Sequence, residues 1–88
     1  MAFYVVSYDL HKFRDYSRIH KGVTDISINW CKPLNTFYVL ESSKNAIQVQ
    51  DFLNNYLDSD DSILVIEVKP PFNWAARNIP DGMDKWLG

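Results

Sequence analysis

The sequence predicts an α+β fold, with four strands in one antiparallel sheet and two helices packed on it. Three observations carry this expectation. Phe3-Tyr4-Val5-Val6-Ser7-Tyr8-Asp9 and Ile63-Leu64-Val65-Ile66-Glu67-Val68 are short runs with apolar residues in both alternate sets, the pattern of strands covered on both faces. Two stretches between them repeat apolar residues at spacings of three and four, the period of a helix. Between those stretches, Thr36-Phe37-Tyr38-Val39-Leu40-Glu41 is rich in β-branched and aromatic residues and reads as a further strand.

The first strand divides into Phe3, Val5, Ser7 and Tyr4, Val6, Tyr8, and ends on the lone carboxylate Asp9. A strand this apolar belongs at the sheet centre, with helices expected over one face and a second subunit over the other. The loop Leu10-His11-Lys12-Phe13-Arg14 leads to Asp15, placed to cap a helix whose stripe is Tyr16, Ile19, Val23 and Ile26. Gly22 in that helix costs up to about 1 kcal/mol relative to alanine. Either a strand or a partner approaches closely there, or the helix weakens in its second half.

A short strand over 28–31 and the strand over 36–41 form a hairpin, with Lys32-Pro33-Leu34-Asn35 as its connection. Pro33 lacks a donor for the ladder, which places it outside both strands. Ser42 or Ser43 is expected to cap the second helix, whose stripe of Ala46, Val49, Leu53 and Leu57 is widened by Phe52 and Tyr56. Asp58-Ser59-Asp60-Asp61 reads as a polar turn before the last strand, which Pro70-Pro71 ends. Beyond it, Pro80 opens a segment with Met83, Trp86 and Leu87 on one side, a short terminal helix docked on the body.

The order strand, helix, strand, strand, helix, strand is the ferredoxin-like βαββαβ arrangement, with sheet order 4-1-3-2 and both main helices on one face. The whole chain, 1–88, is one domain, with a core over 2–69 and an extension over 70–88. Phe3, Val5, Phe37, Val39, Ile63 and Val65 are too apolar to face water, and the sequence leaves open which alternate set points away from the helices.

Size and composition set further bounds. An 88-residue domain buries only about 60–65% of its unfolded surface. With 47% hydrophobic and 15% aromatic residues, part of the apolar surface is expected to be shared between two chains, so a homodimer is the expected state. A formal charge of −2 provides no global field for a polyanion, and nucleic-acid binding would need a local patch. The single cysteine, Cys31, rules out an internal disulfide and reads as a small hydrophobe in a strand; His11 and His20 alone cannot assemble a zinc site. No stretch is long and apolar enough to span a bilayer, and the start Met-Ala-Phe-Tyr lacks a basic leader, so a cytoplasmic location without membrane contact is expected.

Tyr4-Val5-Val6-Ser7-Tyr8-Asp9-Leu10, the element order and the length together resemble the CRISPR-associated Cas-two proteins and their stand-alone, SinR-like bacterial relatives. Asp15-Tyr16, Leu57-Asp58-Ser59-Asp60-Asp61 and the terminal Trp86-Leu87 look closest to the stand-alone group. The resemblance implies a ferredoxin-like homodimer. It also implies, for some members, a metal-dependent nuclease in which the aspartate ending the first strand of each subunit holds a divalent ion. That position here is Asp9. Two carboxylates meeting across a two-fold repel, and Mg2+ or Mn2+ relieves the repulsion while keeping waters for attack on a phosphodiester of RNA or DNA. Ser7 and Tyr8 would line the approach, and His11, Lys12 and Arg14 would contact phosphate. DNA-binding members of the integrase complex carry an arginine run after the first strand and a basic hairpin. Here the hairpin reads Asn29-Trp30-Cys31-Lys32-Pro33-Leu34, which argues against the CRISPR integrase as partner.

Each candidate also has a structural reading. Asp9 can accept hydrogen bonds at a turn, and His11 and Lys12 can be ordinary loop residues. His20 reads as boundary packing. Asp58, Asp60 and Asp61 lack the glycine and terminal glutamate of a calcium loop. Trp30, Trp74 and Trp86 lack the interleaved basic residues of a single-strand binder, and packing under the extension accounts better for Trp74 and Trp86. These readings define the alternative function, a non-catalytic dimeric binding or scaffold module that engages another protein, or nucleic acid weakly, through the aromatic extension.

Overall fold

The computed structural model describes residues 1–11 and 15–88. Its strands are β1 (Ala2–Asp9), β2 (Asn29–Leu34), β3 (Phe37–Ser42) and β4 (Ser62–Val68); its helices are α1 (Tyr16–Ile26), α2 (Ala46–Leu53) and α3 (Met83–Leu87). All strand pairs are antiparallel and the order is β2-β3-β1-β4, the same succession as 4-1-3-2 counted from the other edge. This α+β architecture is compatible with a ferredoxin-like fold.

The two central strands fix the core. Val5 lies opposite Val39 on one side and Ile66 on the other, so alternation sends Tyr4, Val6 and Tyr8 to the helices together with Tyr38 and Leu40. These residues pack with Ile19 and Val23 of α1 and Val49 and Leu53 of α2. Two buried tyrosines keep their hydroxyls bonded: Tyr4 donates to the Lys44 carbonyl at 2.6 Å and Tyr8 to the Asn35 carbonyl at 3.0 Å. Apolar bodies are thereby buried without orphaning the polar tips.

Asp15 caps α1, its side chain accepting from the Ser17 amide at 3.1 Å. Gly22 faces the ring of Tyr56 and the side chain of Leu53 so closely that a Cβ there would lie 2.6 Å from Tyr56 Cδ2. The close neighbour is thus the 3-10 turn Asn54–Tyr56 after α2, rather than a strand or a partner.

Three local expectations are corrected. The cap of α2 is Asn45, in a reciprocal capping box with Gln48, rather than Ser42 or Ser43. Ser42 is still a strand residue, and its buried hydroxyl donates to the Ile26 carbonyl at 3.0 Å, tying the end of α1 to β3. Pro33 lies inside β2; this is an edge strand whose register with β3 shifts between Cys31 and Leu34, so its missing donor breaks no regular ladder. The α2 stripe is also shorter than its sequence pattern, because the helix gives way to the 3-10 turn after Leu53.

The sheet face away from the helices is covered in part by the chain's own extension, where a second subunit was expected. Phe72 and Trp86 stack on each other and both meet Phe3 edge-on, with ring centres 5.4 and 5.7 Å from it. Trp74 closes the extension by donating its indole N–H to the Gly88 carbonyl at 3.1 Å. Val39 and Cys31 lie on this same face and are each only 5% exposed. Toward the other end of β1 and β4 the cover stops, leaving Leu64 58% and Ile66 48% exposed.

Candidate functional site

Asp9 closes β1, pairs with Ser62 of β4 and is exposed. Alternation along β1 puts it on the face opposite the core, in line with Phe3, Val5 and Ser7. Ser7 pairs with Leu64, so Asp9 stands at the uncovered end of that face with Leu64 and Ile66 on the adjoining strand. Tyr8, by contrast, points into the core with its hydroxyl bonded to Asn35. It therefore cannot line an approach to Asp9 from the open face, and only Ser7 keeps that assigned place.

His11 is exposed, and its backbone N–H donates to Asp61 Oδ1 at 2.9 Å. The loop leaving β1 is thereby pinned to the turn entering β4. Lys12 and Arg14 lie outside the described residues.

The carboxylates of Asp58, Asp60 and Asp61 gather within 4.8 Å of one another. Two of them already have protein donors. Asp61 accepts from both His11 and Asp58, and these amides, with the Asp58 bond foremost, hold its carboxyl below the usual carboxylate range. Asp58 pairs with Arg18 at 3.2 Å. The cluster organises a turn, as its sequence suggested, and its donors come from the chain itself.

Among the described residues the Asp58–Asp61 turn, next to Ser62 that pairs with Asp9, is acidic, and Arg18 is taken up by Asp58. Lys21 is likewise paired, with Asp25 at 3.0 Å. Among the other described cations, Lys32 sits 5.6 Å from the centre of the Tyr38 ring, while Lys69 precedes the extension and Arg77 lies within it.

On the helix face a second polar constellation is half-buried. His20 Nδ1 lies 2.6 Å from the Tyr38 hydroxyl, and the His20 ring meets Trp30 edge-on at 5.0 Å. Trp30 thus belongs to an aromatic cluster under α1, which takes it away from any role as a base-stacking surface. Burial raises the Tyr38 phenol and, more strongly, that of Tyr8, so both hydroxyls keep their protons at neutral pH. Burial also raises the Cys31 thiol, which keeps it protonated and poorly nucleophilic.

Among the described residues no helix is long and apolar enough to cross a membrane. No protein-family model matches the chain, and no curated protein matches it.

Proposed function

We propose that the chain works as a Cas-two-like small dimer whose two Asp9 carboxylates meet across a two-fold and hold Mg2+ or Mn2+ for cleavage of a phosphodiester in RNA or DNA. One observation carries this reading: Asp9 stands on the uncovered end of the open sheet face, beside the exposed apolar residues Leu64 and Ile66. A second copy laid over those residues buries apolar surface that water now touches and draws two acids together. A single Asp9 is too little for a site. Two carboxylates match the needs of Mg2+, which binds one or two such groups and otherwise keeps its waters.

When bound, the ion supplies charge neutralisation at the phosphoryl oxygens and an activated water. Asp9 would fix its position, Ser7 lies on the same strand face as Asp9, and His11, Lys12 and Arg14, which follow in the sequence, would hold the phosphate backbone. The acidic Asp58–Asp61 turn and the paired state of Arg18 favour a second reading, a dimeric binding or scaffold module with no nuclease activity. The CRISPR integrase is not its proposed partner.

Cleavage of single-stranded RNA and duplex DNA, with and without Mg2+ or Mn2+, separates the two. The nuclease reading expects metal-dependent cutting that Asp9→Asn abolishes while leaving the thermal midpoint unchanged. Equal cutting by both proteins, or none with either metal, leaves the scaffold reading standing.

A further inference from the structure

Between the open sheet face and the extension lies a cleft of about 680 Å3, within the range of about 300–1,000 Å3 typical of small-molecule sites. Its floor is Val5, Val39 and Phe37, and its roof includes Phe72 and Trp74. Among the described residues, the charged ones on its border are Lys69 and Arg77, and no acid lines it. Neither cation forms an ion pair among the described residues.

We propose that this cleft binds a small amphipathic organic anion, an aryl or alkyl chain ending in a carboxylate. The apolar body would replace water against Val5, Phe37 and the aromatic rings of the extension, and the carboxylate would sit between Lys69 and Arg77. The scarcity of other polar side chains at the cleft, with Asn73 the single amide, disfavours a nucleotide. A base and sugar would leave several donors and acceptors buried without partners. The site is separate from Asp9, and the proposal does not depend on the nuclease reading.

Titration calorimetry on the full chain with phenylbutyrate and its neutral counterpart phenylbutanol tests it, with light scattering recording the oligomeric state. The expected result is saturable binding at one anion per chain, about tenfold tighter for the carboxylate than for the alcohol, as one charge-assisted hydrogen bond implies. Lys69→Gln with Arg77→Gln should erase that preference, whereas Lys85→Gln, outside the cleft lining, should retain it. Both altered residues are exposed, so the fold should survive, and circular dichroism checks this. Equal affinity for acid and alcohol, a preference that persists in the double variant, or failure of the carboxylate to saturate would overturn the proposal. A dimer that binds neither probe, with a second copy filling the cleft, would overturn it as well. The preference for acid over alcohol has no bearing on metal-dependent cleavage at Asp9, which the nuclease assay reads separately.

Discussion

His20 Nδ1 and the Tyr38 hydroxyl lie 2.6 Å apart and join the inner face of α1 to the second central strand of the sheet. Tyr38 is fully buried and His20 partly so. Truncation at Tyr38 therefore strips the imidazole of a partner it cannot easily replace with water. Tyr38→Phe should lower the unfolding free energy by about 1–3 kcal/mol, read from urea denaturation. An unchanged midpoint would mean that solvent already satisfies His20.

Gly22→Ala sets two effects against each other. Alanine is worth up to about 1 kcal/mol in a helix interior, but its Cβ would meet the Tyr56 ring at 2.6 and 2.9 Å and Leu53 at 3.0 Å. Overpacking of this kind costs about 1–3 kcal/mol, so net destabilisation is expected. Restoring room with Tyr56→Ala in the same chain should recover the helix-propensity gain, which a double-mutant cycle would show as coupling between the two positions.

Acid should loosen the junction between the β1 exit loop and the β4 entry turn. The Asp61 carboxyl is lower in the folded chain than in the unfolded one because the amides of Asp58 and His11 donate to it. Its stabilising effect is therefore complete above the ordinary carboxyl pKa of about 3.9 and disappears as the pH falls through the lower folded value. Asp61→Asn should be less stable than the parent at neutral pH, and the gap should close in the acid range. Urea midpoints that stay equally far apart from pH 6 to pH 2.5 would contradict this.

Association through the bare end of the sheet predicts that Ile66→Asp yields a monomer. Ile66 is 48% exposed in the single chain, so the substitution should cost the monomer only about 1 kcal/mol, the span of strand propensity. Sedimentation of parent and variant over a range of concentrations reads the outcome. A parent that is monomeric throughout, or a variant that dimerises as well as the parent, would remove the paired-carboxylate site.

Much of this fold was legible because its strands and helices obey their periods. The two doubly apolar runs identified β1 and β4, and alternation within β1 separated Tyr4, Val6 and Tyr8 from the row that ends in Asp9. The cap at Asp15 followed from residue type. Asn45 was missed although its signal was present: Gln48 three residues on completes a capping box, whereas Ser42 and Ser43 merely stood nearer the strand. Pro33 was misplaced because a rule for regular ladders does not govern an irregular edge strand.

The candidate site was legible only in part. That Asp9 would end a central strand could be read from the run itself, but Tyr8 had to be removed from the site, since one step along a strand reverses the face. The cleft had no sequence signal. Lys69 and Arg77 are eight positions apart in an irregular segment, and they border one space only because the rings of Phe72 and Trp86 carry the extension back across Phe3.

The two margins of the sheet are unlike. On β2, Pro33 and the shifted register blunt the outer backbone, whereas β4 runs through seven paired positions with β1 and contains neither a proline nor a register break. Lateral recruitment of a foreign strand is therefore polarised toward β4. Were two copies to pair along β4, only the blunted β2 margins would remain outward, and growth by that route would stop at the pair.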